Sequence, residues 1–357
     1  MRITSWMVPK PGEAMVLEER EETAGPGEVL VQVKGCGVCH TDLGFYYDGV
    51  PTRHPFPLVL GHEVSGRVVE AGAGSESWIG KEVIIPAVIP CGACAACQAG
   101  RGEICPKQIF PGNDVHGGFA THLRVPARGL CPVPDLRQRA NNPAGYQLAD
   151  LSVIADAVST PYQAIRKSGL QPGDLAVFVG VGGVGGFGAQ IAAALGARVA
   201  VLDVSQERLD LLASHGASLT LRTDVLEFRE LRRKLHSFAA EQKIPSWRQR
   251  IFETSGAPQG QSLAFGLLGP GSYLSVIGYT PAKVELRLSN LMALDATAQG
   301  NWGCLPEYYP AVLDLVLSGK VALTPFVERR PLASINQTFA DLHARRVSKR
   351  VILIPES

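Results

Sequence analysis

Residues 175–205, LAVFVGVGGVGGFGAQIAAALGARVAVLDVS, decide how this chain folds. A short apolar run is followed by Gly180-x-Gly182-x-x-Gly185, then an Ala-rich stretch of helical composition, then a second apolar run ending on Asp203. Strand, Gly-rich turn, helix and strand in that order make the repeating unit of a parallel sheet. The first glycine permits a tight turn, the second lets backbone approach a pyrophosphate, and the third lets helix and strand pack closely. Gly183 and Val184 complete the turn, and the helix start behind it offers unpaired N–H groups and partial positive charge. A carboxylate at Asp203, about twenty residues on, accepts hydrogen bonds from adenosine ribose hydroxyls and repels a 2′-phosphate. NAD is therefore expected rather than NADP. The competing reading is a structural turn with Asp203 merely capping the next helix.

Downstream the alternation continues. EFRELRRKLHSFAAEQ (227–242) and QGQSLAFGLL (259–268) read as helices, RIFETSG (250–256) and SYLSVIGYT (272–280) as strands. Upstream the texture differs. EVLVQVKG (28–35), VSGRVVEAG (64–72), KEVIIPAV (81–88) and HLRVPAR (122–128) are short β-branched runs with a period near two, punctuated by Gly or Pro. After about residue 300 come a helix, EYYPAVLDLVLSGK (307–320), and short strands such as VILIP (351–355). The expected layout is discontinuous: a β-rich domain over residues 1–155, completed by about 301–357, around a doubly wound parallel-sheet domain over 156–300. A chain of 357 residues is long enough for two such cores.

Charge narrows the function classes. Thirty-four basic side chains against 33 acidic ones give a net charge of +1. Nucleic-acid and membrane-surface proteins need a one-sided basic field, so neither partner is expected. No apolar run reaches the roughly 18 to 20 residues of a membrane helix. The first fifteen residues lack an apolar stretch of signal-peptide length, so a cytoplasmic location is expected. The basic run in 227–238 is interleaved with acids and apolar residues and reads as a solvated helix face.

Eight cysteines are unevenly spread. Cys91, Cys94, Cys97 and Cys105 crowd into a lobe with almost no apolar side chains of its own, GACAACQAGRGE (92–103). Four soft thiolates suit a closed, tetrahedral, structural Zn²⁺. An Fe–S cluster and a redox-active CxxC are the rivals. Cys39-His40-Thr41-Asp42 and Gly61-His62-Glu63 form a second constellation. A catalytic zinc takes three mixed protein ligands and keeps one position open. Cys39 and His62 fit, an Asp or Cys from elsewhere must complete the set, and each taken singly has a bland reading as a buried core residue. Cys36, Cys131 and Cys304 read as buried thiols, and His215 and His343 as ordinary histidines in helices.

GCGVCHTD (35–42), GHEVSG (61–66), the four-cysteine lobe, GGFA (117–120) and GVGGVG (180–185) occur in an order that resembles the zinc-dependent medium-chain alcohol dehydrogenases over essentially the whole chain. The resemblance implies an α/β fold class: a GroES-like β-rich catalytic domain plus a Rossmann doubly wound parallel-sheet domain. It implies two Zn²⁺ per chain, one catalytic and one structural, with NAD as cofactor and a homo-oligomeric state. Cys39 and His62 would hold the catalytic zinc. DAVSTPY (156–162) stands where many relatives read C-x-x-S/T-T-x-Y, which puts Asp156 in the place of the third ligand. The resemblance also makes Glu63 a carboxylate able to approach the metal and Asp42 the residue orienting His62. It puts His40 near the cofactor pyrophosphate, Thr160 near the nicotinamide, and makes Thr41 the hydroxyl that takes the substrate proton. Several relatives relay that proton to a histidine five residues beyond the catalytic cysteine; Gly44 stands there.

The reaction so implied is zinc-assisted oxidation of an alcohol with hydride transfer to NAD⁺. FPGNDVHGGFATH (110–122) and GNWGCLPEYYPAVLDLVL (300–317) further resemble family members acting on coenzyme A thioesters of cyclic alcohols, making an acyl-CoA the expected substrate. Arg53 and His54 are the residues at hand for its phosphates. The rivals are another secondary or allylic alcohol, conjugate enone reduction, and non-catalytic NAD binding.

Overall fold

A computed structural model describes residues 1–356. Two compact units emerge: Met1–Ser159 with Gly303–Gly319 and residues from Phe326 onward, and Thr160–Trp302 with Lys320–Pro325.

The second unit is a six-stranded, wholly parallel sheet. Its spatial order is Leu219–Arg222, Arg198–Asp203, Leu175–Val179, Gln249–Glu253, Tyr273–Val276 and Thr297–Gly300. The first three run backwards through the sequence and the last three forwards. The order reverses between Leu175–Val179 and Gln249–Glu253, the doubly wound arrangement of a Rossmann sheet. All five residues of Leu175–Val179 are buried, as expected of a central strand covered on both faces. Helix Gly185–Ala194 follows directly, and helix Phe228–Glu241 buries Leu231 and Leu235, four apart, while its basic residues face solvent. At 14 residues that helix is the longest, and no helix is long and apolar enough to cross a membrane among the described residues.

The first unit is built on strand Glu28–Gly37. It pairs antiparallel with Glu63–Ala71, His122–Pro126 and Arg350–Ile354. The seven-stranded sheet also takes in Glu82–Ile85, Cys131–Pro132 and Val327–Pro331, and Arg2–Val8 organises a separate three-stranded sheet. Its core is aliphatic and aromatic, with Val31, Val64, Phe119, Phe339 and Val351 all buried. Register positions the site: Gly37 lies opposite Glu63 on one side and Ile352 on the other.

The unit boundaries differ from the sequence texture in two places. Residues 156–159 stay with the first unit, where the Ser159 hydroxyl donates to the Ala155 carbonyl (3.3 Å). Residues 320–325 belong to the second. There the buried Gln190 amide accepts from the Ala322 N–H (2.8 Å) and donates to its carbonyl (3.3 Å).

The third glycine of the fingerprint is a matter of space. A Cβ on Gly185 would lie 2.0 Å from the Gly180 carbonyl oxygen and 2.5 Å from the Thr254 hydroxyl. Gly185→Ala is expected to destabilise the second unit by about 1–3 kcal/mol. Denaturant unfolding of the variant should show a lower midpoint, and an unchanged midpoint contradicts the packing argument.

Candidate active site and metal centres

The four-cysteine lobe has the dimensions of a tetrahedral thiolate site. Sγ separations are 3.5 Å for Cys94–Cys97, 3.6 Å for Cys94–Cys105 and 3.9 Å for Cys91–Cys97. Zinc–sulfur bonds of about 2.3 Å place tetrahedral sulfurs about 3.8 Å apart, so the donor set fits that ion. Backbone N–H groups of Ala93 and Cys94 pull the Cys91 thiol down to about 6, toward the thiolate a metal requires.

The second cluster draws on three parts of the first unit. Cys39 precedes helix His40–Tyr47, His62 and Glu63 lie at the start of strand Glu63–Ala71, and Asp156 ends the 3₁₀ stretch Leu148–Ala155. One donor atom from each of Cys39, His62, Glu63 and Asp156 lies within 4.8 Å of the others. Asp156 Oδ2 is 3.6 Å from Cys39 Sγ and 3.7 Å from His62 Nε2, separations that a shared tetrahedral zinc accommodates. The Thr41 hydroxyl is 3.6 Å from Cys39 Sγ.

Asp42 organises this geometry from beneath. Oδ2 accepts the Cys39 N–H (2.8 Å), while Oδ1 accepts the Gly61 N–H (3.2 Å) and faces His62 Nδ1 (3.2 Å). Nε2 is thereby left toward Cys39 and Asp156. Burial works against a charge on His62, yet Asp42 and the bonds to Asp156 and Cys39 lift its proton affinity well above the ordinary value. The pocket favours positive charge at Nε2, where a divalent cation is served by the same field.

Glu63 reaches the cluster but is engaged elsewhere. Arg350, on strand Arg350–Ile354, donates Nε–H to Glu63 Oε2 (3.1 Å) and Nη2–H to Oε1. Burial pushes the Glu63 carboxyl up, to about 7, against the opposing pull of Arg350. Sequence reasoning missed Arg350. Its only signal is a charged residue opening an otherwise apolar, buried strand. Phe110, also missed, sets its ring edge-on to His62, centroids 4.8 Å apart.

In the second unit, Gly180 adopts φ 85°, Gly182, Gly183 and Val184 form the turn, and Gly185 opens the helix. Asp203 Oδ2 accepts the Val181 N–H (2.7 Å), tying the carboxylate to the turn. Oδ1 accepts the Ser205 N–H (2.8 Å), and Ser205 caps the next helix. Asp203 thus supports the turn and holds the N-cap residue, but the cap itself is Ser205. Arg208, unnoticed in the sequence, brings Nη1 to 3.9 Å from Asp203 Oδ1 beside Gly182.

The remaining candidates are dispersed. His40 is exposed at the start of its helix, and Thr160 is buried with its carbonyl accepting from Asn301 (3.2 Å). Gly44 lies inside helix His40–Tyr47 and offers no proton acceptor. Arg53 pairs with Asp114 (3.2 Å), and the His54 ring lies 5.1 Å from that of His116. Cys36, Cys131 and Cys304 are buried. His343 ends its helix stacked on Tyr47, and His215 lies just past its helix with Nδ1 2.7 Å from the Leu211 carbonyl.

Two family models match this chain: the alcohol dehydrogenase GroES-like domain over residues 25–135 and the zinc-binding dehydrogenase over residues 183–318. An alcohol dehydrogenase of Geobacillus stearothermophilus is 29% identical over 332 residues, 92% of this chain and 91% of that protein. An L-threonine 3-dehydrogenase of Xanthomonas oryzae pv. oryzae is 28% identical over 338 residues, 92% and 93% of the two chains. Among solved structures, an alcohol dehydrogenase of Aeropyrum pernix has a TM-score of 0.85 at 26% identity, covering 99% of this chain and 100% of that one. The chain belongs to the zinc-dependent medium-chain alcohol dehydrogenase family, with a GroES-like domain joined to a Rossmann-type one.

Proposed function

We propose that this enzyme is NAD-dependent and oxidises the ring secondary alcohol of 6-hydroxycyclohex-1-ene-1-carbonyl-CoA to 6-oxocyclohex-1-ene-1-carbonyl-CoA. Such a step belongs to anaerobic degradation of aromatic compounds through benzoyl-CoA. The observation that carries the dehydrogenase reading is the Cys39–His62–Asp156 donor set with the Thr41 hydroxyl beside it. The substrate reading is supported by the likeness of 110–122 and 300–317 to the 6-hydroxycyclohex-1-ene-1-carbonyl-CoA dehydrogenases. The loop bearing Arg53 and His54 also supports it. Asn113 pins that loop through the Arg53 N–H (3.1 Å) and the His54 N–H (2.7 Å), in the same turn that sets Phe110 against His62. The Arg53 guanidinium, paired with Asp114, and the His54 ring are the groups there that could meet the phosphates of coenzyme A.

Cys39, His62 and Asp156 would hold the catalytic zinc, and Cys91, Cys94, Cys97 and Cys105 the structural one. When bound, zinc supplies a Lewis acid for the alcohol oxygen, and NAD⁺ accepts the hydride at its nicotinamide C4. Asp42 fixes the His62 ring, and Arg350 holds Glu63 beside the donor set as a charge-balancing carboxylate able to approach the metal. Thr41 accepts the alcohol proton. Gly44 cannot receive it, so the path outward runs through water or the cofactor ribose. The balance is alcohol plus NAD⁺ giving ketone, NADH and one proton. Within the second unit the Gly180–Gly185 turn would take the pyrophosphate and Asp203 the adenosine ribose; the cofactor roles of His40 and Thr160 rest on the family resemblance. A homo-oligomer is proposed as well, because edge strand Thr297–Gly300 is exposed along its length, and Leu288 and Met292, a few residues earlier in the chain, are exposed too.

Metal analysis should find two zincs per chain. Cys39→Ala should lose one of them and lower kcat/KM by more than about a hundredfold. Cys94→Ser should lose the other and lower thermal stability. Full turnover in Cys39→Ala, or turnover untouched by chelation, sinks the mechanism. For the substrate, purified enzyme with NAD⁺ is given cyclic alcohols as coenzyme A thioesters, as free acids and as simple alcohols. NADH should form with the hydroxycyclohexene thioester. Equal rates with the free acid or simple alcohols point to another alcohol and overturn the acyl-CoA reading.

A further inference from the structure

Glu253 ends the strand that flanks the order reversal of the parallel sheet, and its residue is completely buried. Oε1 accepts three hydrogen bonds: the Ser255 N–H (2.8 Å), the Ser255 hydroxyl (2.5 Å) and the Gly256 N–H (3.2 Å). Oε2 is buried beside Gly278, whose N–H donates to the Glu253 main-chain carbonyl (3.0 Å) and also favours the carboxylate. No basic side chain pairs with this carboxylate among the described residues. A buried carboxylate without a cationic partner at the crevice edge of a Rossmann sheet asks for a structural reason.

The three residues it shapes supply one. The Thr254 hydroxyl donates to the Gly180 carbonyl (2.5 Å), with the Val179 carbonyl 3.2 Å from the same oxygen. Ser255 presses on Gly180, since a Cβ there would lie 2.5 Å from Ser255 Cα. Gly256 sits at φ 61°, a conformation secured by its N–H bond to Glu253. The carboxyl ends of three neighbouring strands, Leu175–Val179, Gln249–Glu253 and Tyr273–Val276, thus meet through this one side chain and its loop.

We propose that Glu253 is a positioning residue for dinucleotide binding: by fixing Thr254–Ser255–Gly256 it holds Gly180 in the shape the pyrophosphate requires. Glu253 need not touch the cofactor. This inference rests on the reading that the 180–185 turn binds NAD(H).

The test is NADH binding by fluorescence titration of full-length, zinc-loaded enzyme, with KM for NAD⁺ and for the alcohol measured in parallel. Wild-type enzyme comes first, and failure to bind NADH there overturns the cofactor reading rather than this one. Glu253→Ala is expected to raise the Kd for NADH and the KM for NAD⁺ about tenfold, with KM for the alcohol unchanged. Glu253→Gln keeps one acceptor oxygen and should restore affinity to within about threefold. Should Glu253→Ala fail to fold, Thr254→Val and Ser255→Ala decide, each expected to weaken NADH binding several-fold while both zincs are retained. NADH affinity equal to wild type in the variants that fold, or equal losses for cofactor and alcohol, overturns the proposal.

Discussion

The carboxylate of Asp42 is the constraint on which the reactive site depends. Cys39 and His62 are 23 positions apart in sequence and arrive on different elements. One side chain accepts the N–H of Cys39, the N–H of Gly61 and the face of His62 Nδ1, so both arms are set by the same two oxygens. A His ring donating one nitrogen to a carboxylate presents the other as a directed lone pair. Asp42 is fully buried, and such a charge is tolerable because every bond it accepts comes from the site it shapes.

Around that point the first unit gathers an acidic neighbourhood and balances it sparingly. Cys39, Asp42, Glu63 and Asp156 surround His62, and Arg350 hydrogen-bonds Glu63 while its charge also faces Cys39 and Asp156. The imbalance is a chemical preference for a divalent cation. An oxygen donor at Asp156 is harder than a thiolate and lies within reach of both Cys39 and His62.

Much of this was legible in the sequence, for identifiable reasons. The cysteine lobe and the Gly180–Gly185 turn are local patterns whose spacing carries their geometry. Asp156 was reached only by its place in a motif, because a lone aspartate in an apolar stretch has no spacing relation to Cys39. Arg350 and Glu63 are partners through sheet register, Gly37 opposite Glu63 on one side and Ile352 on the other, and register between distant strands leaves no local trace. Residues 320–325 join the second unit through the buried Val321 and Leu323 and through the Gln190 amide, and amide-to-backbone pairing has no periodicity to read. Glu253 and Thr254 lay within the run RIFETSG, read as a strand, with no local pattern to set them apart.

The two donor sets also differ in how much chain each must close. Cys91 and Cys105 are 14 positions apart, so the lobe can wind around an ion as a short loop. Cys39 and Asp156 are 117 apart, and the Arg350–Glu63 pair beside them spans 287. Closing such loops costs entropy that only the assembled sheet offsets. Occupancy of the lobe therefore reports on a local knot, whereas occupancy at Cys39, His62 and Asp156 reports that the whole unit has come together.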